Sequence, residues 1–150
     1  MIEIKLLDPR AKVPAYATKD SAGVDLIACI DNIISIPPFK TAMIKTGIAI
    51  NMQTEHTKLV ALIHPRSGKG AKEGKVLGNL TGIIDQDYQG ELMVCIWNRN
   101  SDLYIDITPG EAIAQLVMTP VYRAEFGIVE EFSSITERGK GGFGSTDNVK

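Results

Sequence analysis

Five short segments of this chain combine residue types suited to a phosphorylated ligand. Pro65-Arg66-Ser67-Gly68-Lys69-Gly70 follows an apolar run. Arg66, the Ser67 hydroxyl and the Gly68 N–H can converge on a phosphate, although a tight loop with a solvated Arg has the same composition. Gly78-Asn79-Leu80-Thr81-Gly82-Ile83-Ile84-Asp85-Gln86-Asp87-Tyr88-Gln89-Gly90 sets polar residues into what would otherwise be a buried strand. Asp85 comes directly after Ile83-Ile84, a carboxylate at the end of an apolar element, and such a place suits a general base. Tyr88 can stack on a sugar or base, and Asn79 offers an amide to a base edge. A β-hairpin with ordinary turn Asp and Gln residues is the plainer reading. Ala22-Gly23-Val24-Asp25-Leu26 places a carboxylate inside an apolar strand, where it needs a partner: a buried Arg or a hydrated divalent cation.

The last segment is Arg138-Gly139-Lys140-Gly141-Gly142-Phe143-Gly144-Ser145-Thr146, with four glycines in six residues. Ordering such a stretch costs about 1–2 kcal/mol per residue, so it stays mobile unless something holds it. It reads either as a frayed terminus or as a flap that closes on an anion, with Arg138 as a fork of donors, hydroxyls and N–H groups on phosphate, and Phe143 stacked on a ring. Gly139-x-Gly141-x-x-Gly144 formally fits a dinucleotide fingerprint. It lacks the strand and helix that motif requires, and only six residues follow it. No Walker loop, nucleophile elbow or zinc-type Cys/His cluster is present, and His56 and His64 stand eight apart without a third ligand type beside them.

The elements that must position these segments are strands. Ile2, Ile4 and Leu6 alternate with Glu3 and Lys5, and Leu103, Ile105 and Ile107 alternate with polar neighbours, so both read as half-buried strands. Short apolar runs at 24–30, 44–50, 59–63, 92–97 and 113–117 are separated by Pro37-Pro38, Thr46-Gly47, Pro65 to Gly68, Gln89-Gly90 and Pro109-Gly110. Breakers this close leave no room for long amphipathic helices. The pattern predicts an all-β sandwich or barrel of jelly-roll type.

Length and composition bound the rest. A chain of 150 residues suits one domain, and 44% hydrophobic with 23% charged residues excludes a disordered or fibrous chain. Sixteen basic against 18 acidic residues exclude a general nucleic-acid binder, while a few local Arg and Lys still suffice for a phosphorylated metabolite. Cys29 and Cys95 sit in apolar runs and are expected to be packed core thiols rather than a disulfide framework. The N-terminus has alternating charge instead of a signal-peptide core, and no run is long enough for a membrane span. The expectation is a cytoplasmic protein.

In this order, and with Ala114-Gln115 in Pro109-Gly110-Glu111-Ala112-Ile113-Ala114-Gln115, the segments resemble the five motifs of the trimeric dUTP pyrophosphatases (dUTPases) over essentially the whole chain. The resemblance implies a distorted jelly roll or β-barrel with a flexible Gly-rich C-terminal arm. Residues 1–132 would form the domain and 133–150 its mobile flap. It also implies Mg²⁺-dependent hydrolysis of dUTP to dUMP and pyrophosphate, lowering dUTP and supplying dUMP for thymidylate synthesis. Asp85 would activate the water that attacks the α-phosphorus and would contact the sugar 3′-hydroxyl. Tyr88 would pack on the deoxyribose, leaving no room for a 2′-hydroxyl. The 79–88 hairpin, through Asn79, Gly82, Ile83 and Ile84, would read uracil, with Met93 lining the pocket. Arg66, Ser67, Gly68 and Gln115 would bind phosphate, and Asp25 would hold magnesium through water. Arg138, Phe143, Gly144, Ser145 and Thr146 would form the flap, and a homotrimer would share its sites between subunits. Lys69, Glu73, Ala112 and Asp147 depart from the family's common pattern. Two further readings are a dCTP deaminase-like enzyme of the same fold, disfavoured because no Glu lies between Asn79 and Gln89, and a nucleotide-responsive regulatory binding module.

Overall fold

A computed structural model describes residues 1–142. Its strands are β1 (Glu3–Leu6), β2 (Val24–Ile27), β3 (Ile34–Ile36), β4 (Thr41–Lys45), β5 (Ile48–Asn51) and β6 (Leu59–His64). They continue with β7 (Lys75–Leu77), β8 (Gly82–Ile84), β9 (Met93–Asn98), β10 (Ile105–Ile107) and β11 (Ala112–Pro120). The predicted apolar runs all become strands, and the run at 44–50 is divided by its Thr46-Gly47 turn into β4 and β5. Among the described residues the regular helical element is a single π-turn, Lys69–Glu73, ended by Gly74 in the left-handed region at φ 71°. Among the described residues no helix is long and apolar enough to cross a membrane.

The strands form a four-stranded sheet, β2-β11-β6-β8, a three-stranded sheet, β4-β9-β7, and two pairs, β1-β5 and β10-β3. These sheets stay open, so of the two expected architectures the jelly-roll sandwich is observed and the closed barrel is not. Pleating decides what is buried: Val24 and Leu26, Ala61 and Ile63, and Val94 and Ile96 point inward from β2, β6 and β9 and join one apolar cluster. The same alternation turns Cys95 away from the core, so Cys95 is only partly buried, as is Cys29, and the expectation of packed core thiols is corrected. β1 is likewise more exposed than its alternation suggested. All four residues are exposed, because its only pairing is with β5 and nothing covers its outer face among the described residues.

One irregularity matters for the site. Between Ala112 and Ala114 the pairing of β11 with β2 shifts by one residue. A β-bulge inserts an extra residue and changes which side chains oppose each other. Beyond it Gln115 lies opposite Asp25, and on the other side opposite His64. Without the extra residue Ala114 would face Asp25.

Candidate active site

Directly opposed residues of paired strands share a face, so Asp25, Gln115 and His64 form a row across three strands. The neighbouring Leu26, Leu116 and Ile63 are buried, so this row lies on the face turned away from the core. Gly23 leaves space beside it: a Cβ there would stand 3.2 Å from Gln115 Oε1 and 3.3 Å from Val117 Cγ2. After His64 the chain turns back. Arg66 Nε sits 3.0 Å from Asp25 Oδ1, and Arg66 Nη1 donates to the Ala112 carbonyl at 3.3 Å. The sequence left Asp25 a choice between an Arg and a cation, and its protein partner is Arg66. The contact is one of charge, since the buried Nε–H finds no aligned acceptor.

Two adjoining cavities open here. One, of about 360 Å³, is lined by Asp25, Arg66, Gln115, Ser21 and Gly23 among others. The other, of about 300 Å³, is lined by Arg66, Ser67, Gly68, Lys69, Lys72, Glu73 and Gln115. All four phosphate-side residues expected from the sequence therefore meet, with Asp25 beside them.

Four charges that sequence reasoning did not connect lie behind this loop. Lys75 Nζ stands 2.7 Å from Glu111 Oε1 and 3.0 Å from Glu73 Oε2, and Lys69 Nζ stands 3.0 Å from both Glu73 and Glu111. Glu111 Oε2 accepts from the Thr108 N–H at 3.1 Å. Burial pushes the Glu111 carboxyl up, but the hydrogen bonds from Lys75, the Thr108 N–H and Lys69 outweigh it and hold the pKa down at about 2. The Lys75 and Lys69 ammoniums lower Glu73, and Glu111 and Glu73 raise Lys69. A Lys69/Glu73 pair four residues apart was the one visible hint.

The Asp85 segment is built elsewhere. β8 pairs with β6 alone among the described residues, so 79–88 is a turn, one edge strand and a second turn, not the two-stranded hairpin expected. Leu80, at φ 63°, makes the first turn, donating its N–H to the Leu77 carbonyl. The Tyr88 N–H closes the second onto the Asp85 carbonyl at 3.1 Å. Gln86 Nε2 pins that turn by donating to the Met52 carbonyl at 3.1 Å. Asp85 is exposed and lines a groove of about 550 Å³ together with Lys58, Ile83, Gln86, Asp87 and Arg123. The Tyr88 hydroxyl donates to the Glu91 carbonyl at 3.0 Å, and its ring lies over Gly90, where a Cβ would be 2.5 Å from the hydroxyl oxygen. Asn79 is exposed and Met93 is partly buried on β9.

Asp85 and the Arg66 cluster do not meet within one chain. Ile84 pairs with Ala61, which puts Asp85 one step on, level with Val60. That is four residues along β6 from His64 and three strands across from Asp25. Strand rise and spacing make the separation roughly 20 Å. The even register offsets keep both groups on the same outer face of the sheet. Arg138 is farther along the exposed 121–142 stretch, donating from Nε to the Gly141 carbonyl at 3.2 Å. Phe143, Gly144, Ser145 and Thr146 lie outside the described residues.

Comparison with known proteins shows the family. A family model for dUTPase matches residues 9–147. A deoxyuridine 5′-triphosphate nucleotidohydrolase of Coxiella burnetii is 53% identical over 149 residues, covering 97% of this chain and 95% of the relative. One from Photorhabdus laumondii is 53% identical over 147 residues, covering 95% of this chain and 94% of that one. The Staphylococcus bacteriophage 80alpha dUTPase, solved with dUpNHpp, superposes with a TM-score of 0.85 at 31% identity, over 97% of this chain and 98% of the other. A variant dUTPase of phage phi11 of S. aureus, described with a structural Mg(II) ion, gives 0.79 at 28% identity, over 89% and 99%. By sequence and by fold, this chain belongs to the dUTPase family.

Proposed function

We propose that the chain is a cytoplasmic dUTP diphosphatase, hydrolysing dUTP to dUMP and pyrophosphate and so supplying dUMP for thymidylate synthesis, with its active sites shared between the subunits of a homotrimer. The observation that carries the shared site is the separation of Asp85 from Arg66, Ser67 and Gln115. Asp85 follows the edge strand β8 near one end of the sheet, whereas Gln115 and the loop after β6 lie at the other end of the same outer face, so the base of one copy reaches the phosphate cluster of the next. The arm supports the same reading. Tyr122, Phe126, Ile128, Phe132 and Ile135 are each at least 88% exposed along a stretch without strand or helix. Large apolar side chains spaced like this gain burial only on another surface, and a further copy supplies one. From there Arg138, with Phe143, Gly144, Ser145 and Thr146, closes over the bound nucleotide.

Within such a site the residues divide the task. Arg66 Nε–H, buried without an aligned acceptor, donates to a phosphate oxygen alongside Ser67, Gly68 and Gln115. The 79–84 segment presents main-chain groups to uracil, where a wrong base leaves buried partners unpaired at about 1–3 kcal/mol each. Tyr88 packs on the deoxyribose and excludes a 2′-hydroxyl. Asp85 accepts a proton from a water in line with the leaving pyrophosphate as that water attacks the α-phosphorus. Magnesium fits beside Asp25. Its cavity offers the Ser21 hydroxyl and the Gln115 amide oxygen, with the Arg66 guanidinium 3.0 Å from the carboxylate on its other side. That sparse set suits an ion that keeps its waters and binds phosphate oxygens, and it supplies charge neutralisation on the triphosphate.

Pyrophosphate release from dUTP, dTTP, dCTP and UTP, with magnesium and with chelator, tests the activity. Turnover confined to dUTP and lost with chelator is expected, and equal turnover of all four would refute it. Sharing is tested by mixing inactive Asp85→Asn and Arg66→Ala subunits after joint refolding. Shared sites restore roughly a quarter of the activity at equal mixing, and self-contained sites restore none.

A further inference from the structure

The Lys69, Glu73, Lys75 and Glu111 quartet lies behind the phosphate loop, and Lys69 and Glu73 line the same cavity as Arg66, Ser67 and Gln115. Two carboxylates beside a site for a polyanion would repel it. Here both are matched. Glu111 Oε1 holds both lysines, and Glu73 meets Lys69 with both oxygens, at 3.0 Å from Oε1 and 3.1 Å from Oε2, and Lys75 with Oε2. The four sum to zero charge. Lys75 and Glu111 have side chains only 10% exposed, whereas Lys69 and Glu73 reach the cavity at 25% and 42%. Removal of Lys69 alone leaves the quartet with one net negative charge, since Lys75 cannot cancel two carboxylates, and it takes one of the three cations, Arg66, Lys69 and Lys72, from the cavity lining.

We propose that Lys69 is a positioning residue for triphosphate binding that acts through its partners: it keeps Glu73 in the cavity wall, and Glu111 buried behind it, neutralised without itself contacting phosphate. The inference rests on the phosphate-binding reading of Arg66, Ser67 and Gln115 and goes beyond it. It makes the two departures from the common family pattern, Lys69 and Glu73, one compensated unit: an ammonium admits a carboxylate that the site otherwise could not tolerate.

The test is a charge cycle read by steady-state pyrophosphate release from dUTP. Lys69→Met is expected to raise KM about tenfold and to change kcat by less than about twofold, because the unbalanced carboxylate opposes bound phosphate in ground state and transition state alike. Lys69→Met/Glu73→Gln restores neutrality and is expected to return KM to within about threefold of the parent, although it removes more ion pairs than the single change. Lys69→Arg keeps the charge and is expected to stay within about twofold. A double variant as poor as Lys69→Met or worse would mean that Lys69 binds phosphate directly or acts only as a tether, and would overturn the proposal. So would an unchanged KM in Lys69→Met. Absence of dUTP turnover in the parent protein would instead strike the functional reading, so the two failures are told apart.

Discussion

Around Arg66 the chain supplies its own partners: Asp25 at 3.0 Å, the Ala112 carbonyl at 3.3 Å, and behind them four paired charges from the 69–75 and 108–111 segments. Around Asp85 it supplies few. The carboxylate is exposed, and its turn is fastened mainly by Gln86 to Met52 and by one main-chain bond to Tyr88. The Arg66 side is thus held by contacts within the chain, on three adjacent strands, while Asp85 and the large apolar side chains of the arm are exposed. A region built to hold a tetra-anion must be assembled before the ligand arrives, because fixing loose cations against it costs affinity. A region that meets another subunit acquires its surroundings on assembly.

The sharpest break comes from the arm. Deleting residues 137–150 removes Arg138 and the Gly-rich end without touching the sheet, so turnover is expected to fall by at least about 10³-fold while the far-ultraviolet dichroism and thermal midpoint stay near those of the parent. Near-normal kinetics would reduce the segment to a frayed end. Asp85→Asn comes next. An amide cannot take the water's proton, so kcat is expected to drop by at least about 10²-fold with dUTP binding retained, measured by titration calorimetry with a non-hydrolysable analogue. Because the Asp85 side chain has no hydrogen bond or ion pair among the described residues, stability should not move. A large loss of stability would show that Asp85 has a structural partner across the subunit boundary.

Gly90→Ala probes the base side more finely. The new Cβ would fall 2.5 Å from the Tyr88 hydroxyl oxygen and 2.7 Å from its ring carbon. Tyr88 is 44% exposed and free to swing outward, so the change should cost less than about 1 kcal/mol of stability. It would break the bond to the Glu91 carbonyl and displace the ring from the sugar. Discrimination of dUTP against UTP is expected to fall about tenfold, with little change in kcat on dUTP. Unaltered discrimination would remove Tyr88 from sugar selection.

Much of this layout is legible in the sequence, and the reason it stops where it does is physical. Apolar runs between Gly and Pro breakers mark β2, β6, β9 and β11, because a strand's burial is a local alternation. Asp25 announces a need for a partner in the same way, since a carboxylate in an apolar strand is costly alone. What the run of letters does not carry is register. The extra residue at Ile113 moves Gln115 opposite Asp25, and nothing in Ala112-Ile113-Ala114 distinguishes a bulge from regular pairing. The Glu111 to Lys75 and Lys69 contacts are hidden for the same reason, because they join segments brought together only by the sheet. The 79–88 segment looked like a hairpin because it has the composition of one. Its strand found a better-buried partner in β6.

The smallest effect separates the two regions by acid. Glu111 ionises with a pKa held at about 2 in the folded protein against an ordinary 4.5. Between those values the unfolded chain binds the proton more readily than the folded one, so stability rises with pH there. The contribution of this carboxylate is therefore complete above about pH 5 and is withdrawn as the pH falls toward 2. The 83–88 segment contains no ion pair among the described residues. Hydrogen exchange followed by mass spectrometry at pH 6 and pH 3, corrected for intrinsic rates, should show amides of the 66–75 and 108–112 segments losing protection at the lower pH, with 83–88 changing little. Glu111→Gln should reduce the difference between the two pH values in the first set, most of all at 108–112, and should leave the part that Glu73, also lowered by Lys75 and Lys69, contributes. If both segments lost protection equally, or if the Gln variant kept the pH dependence undiminished, the quartet would not be what holds the Arg66 side together.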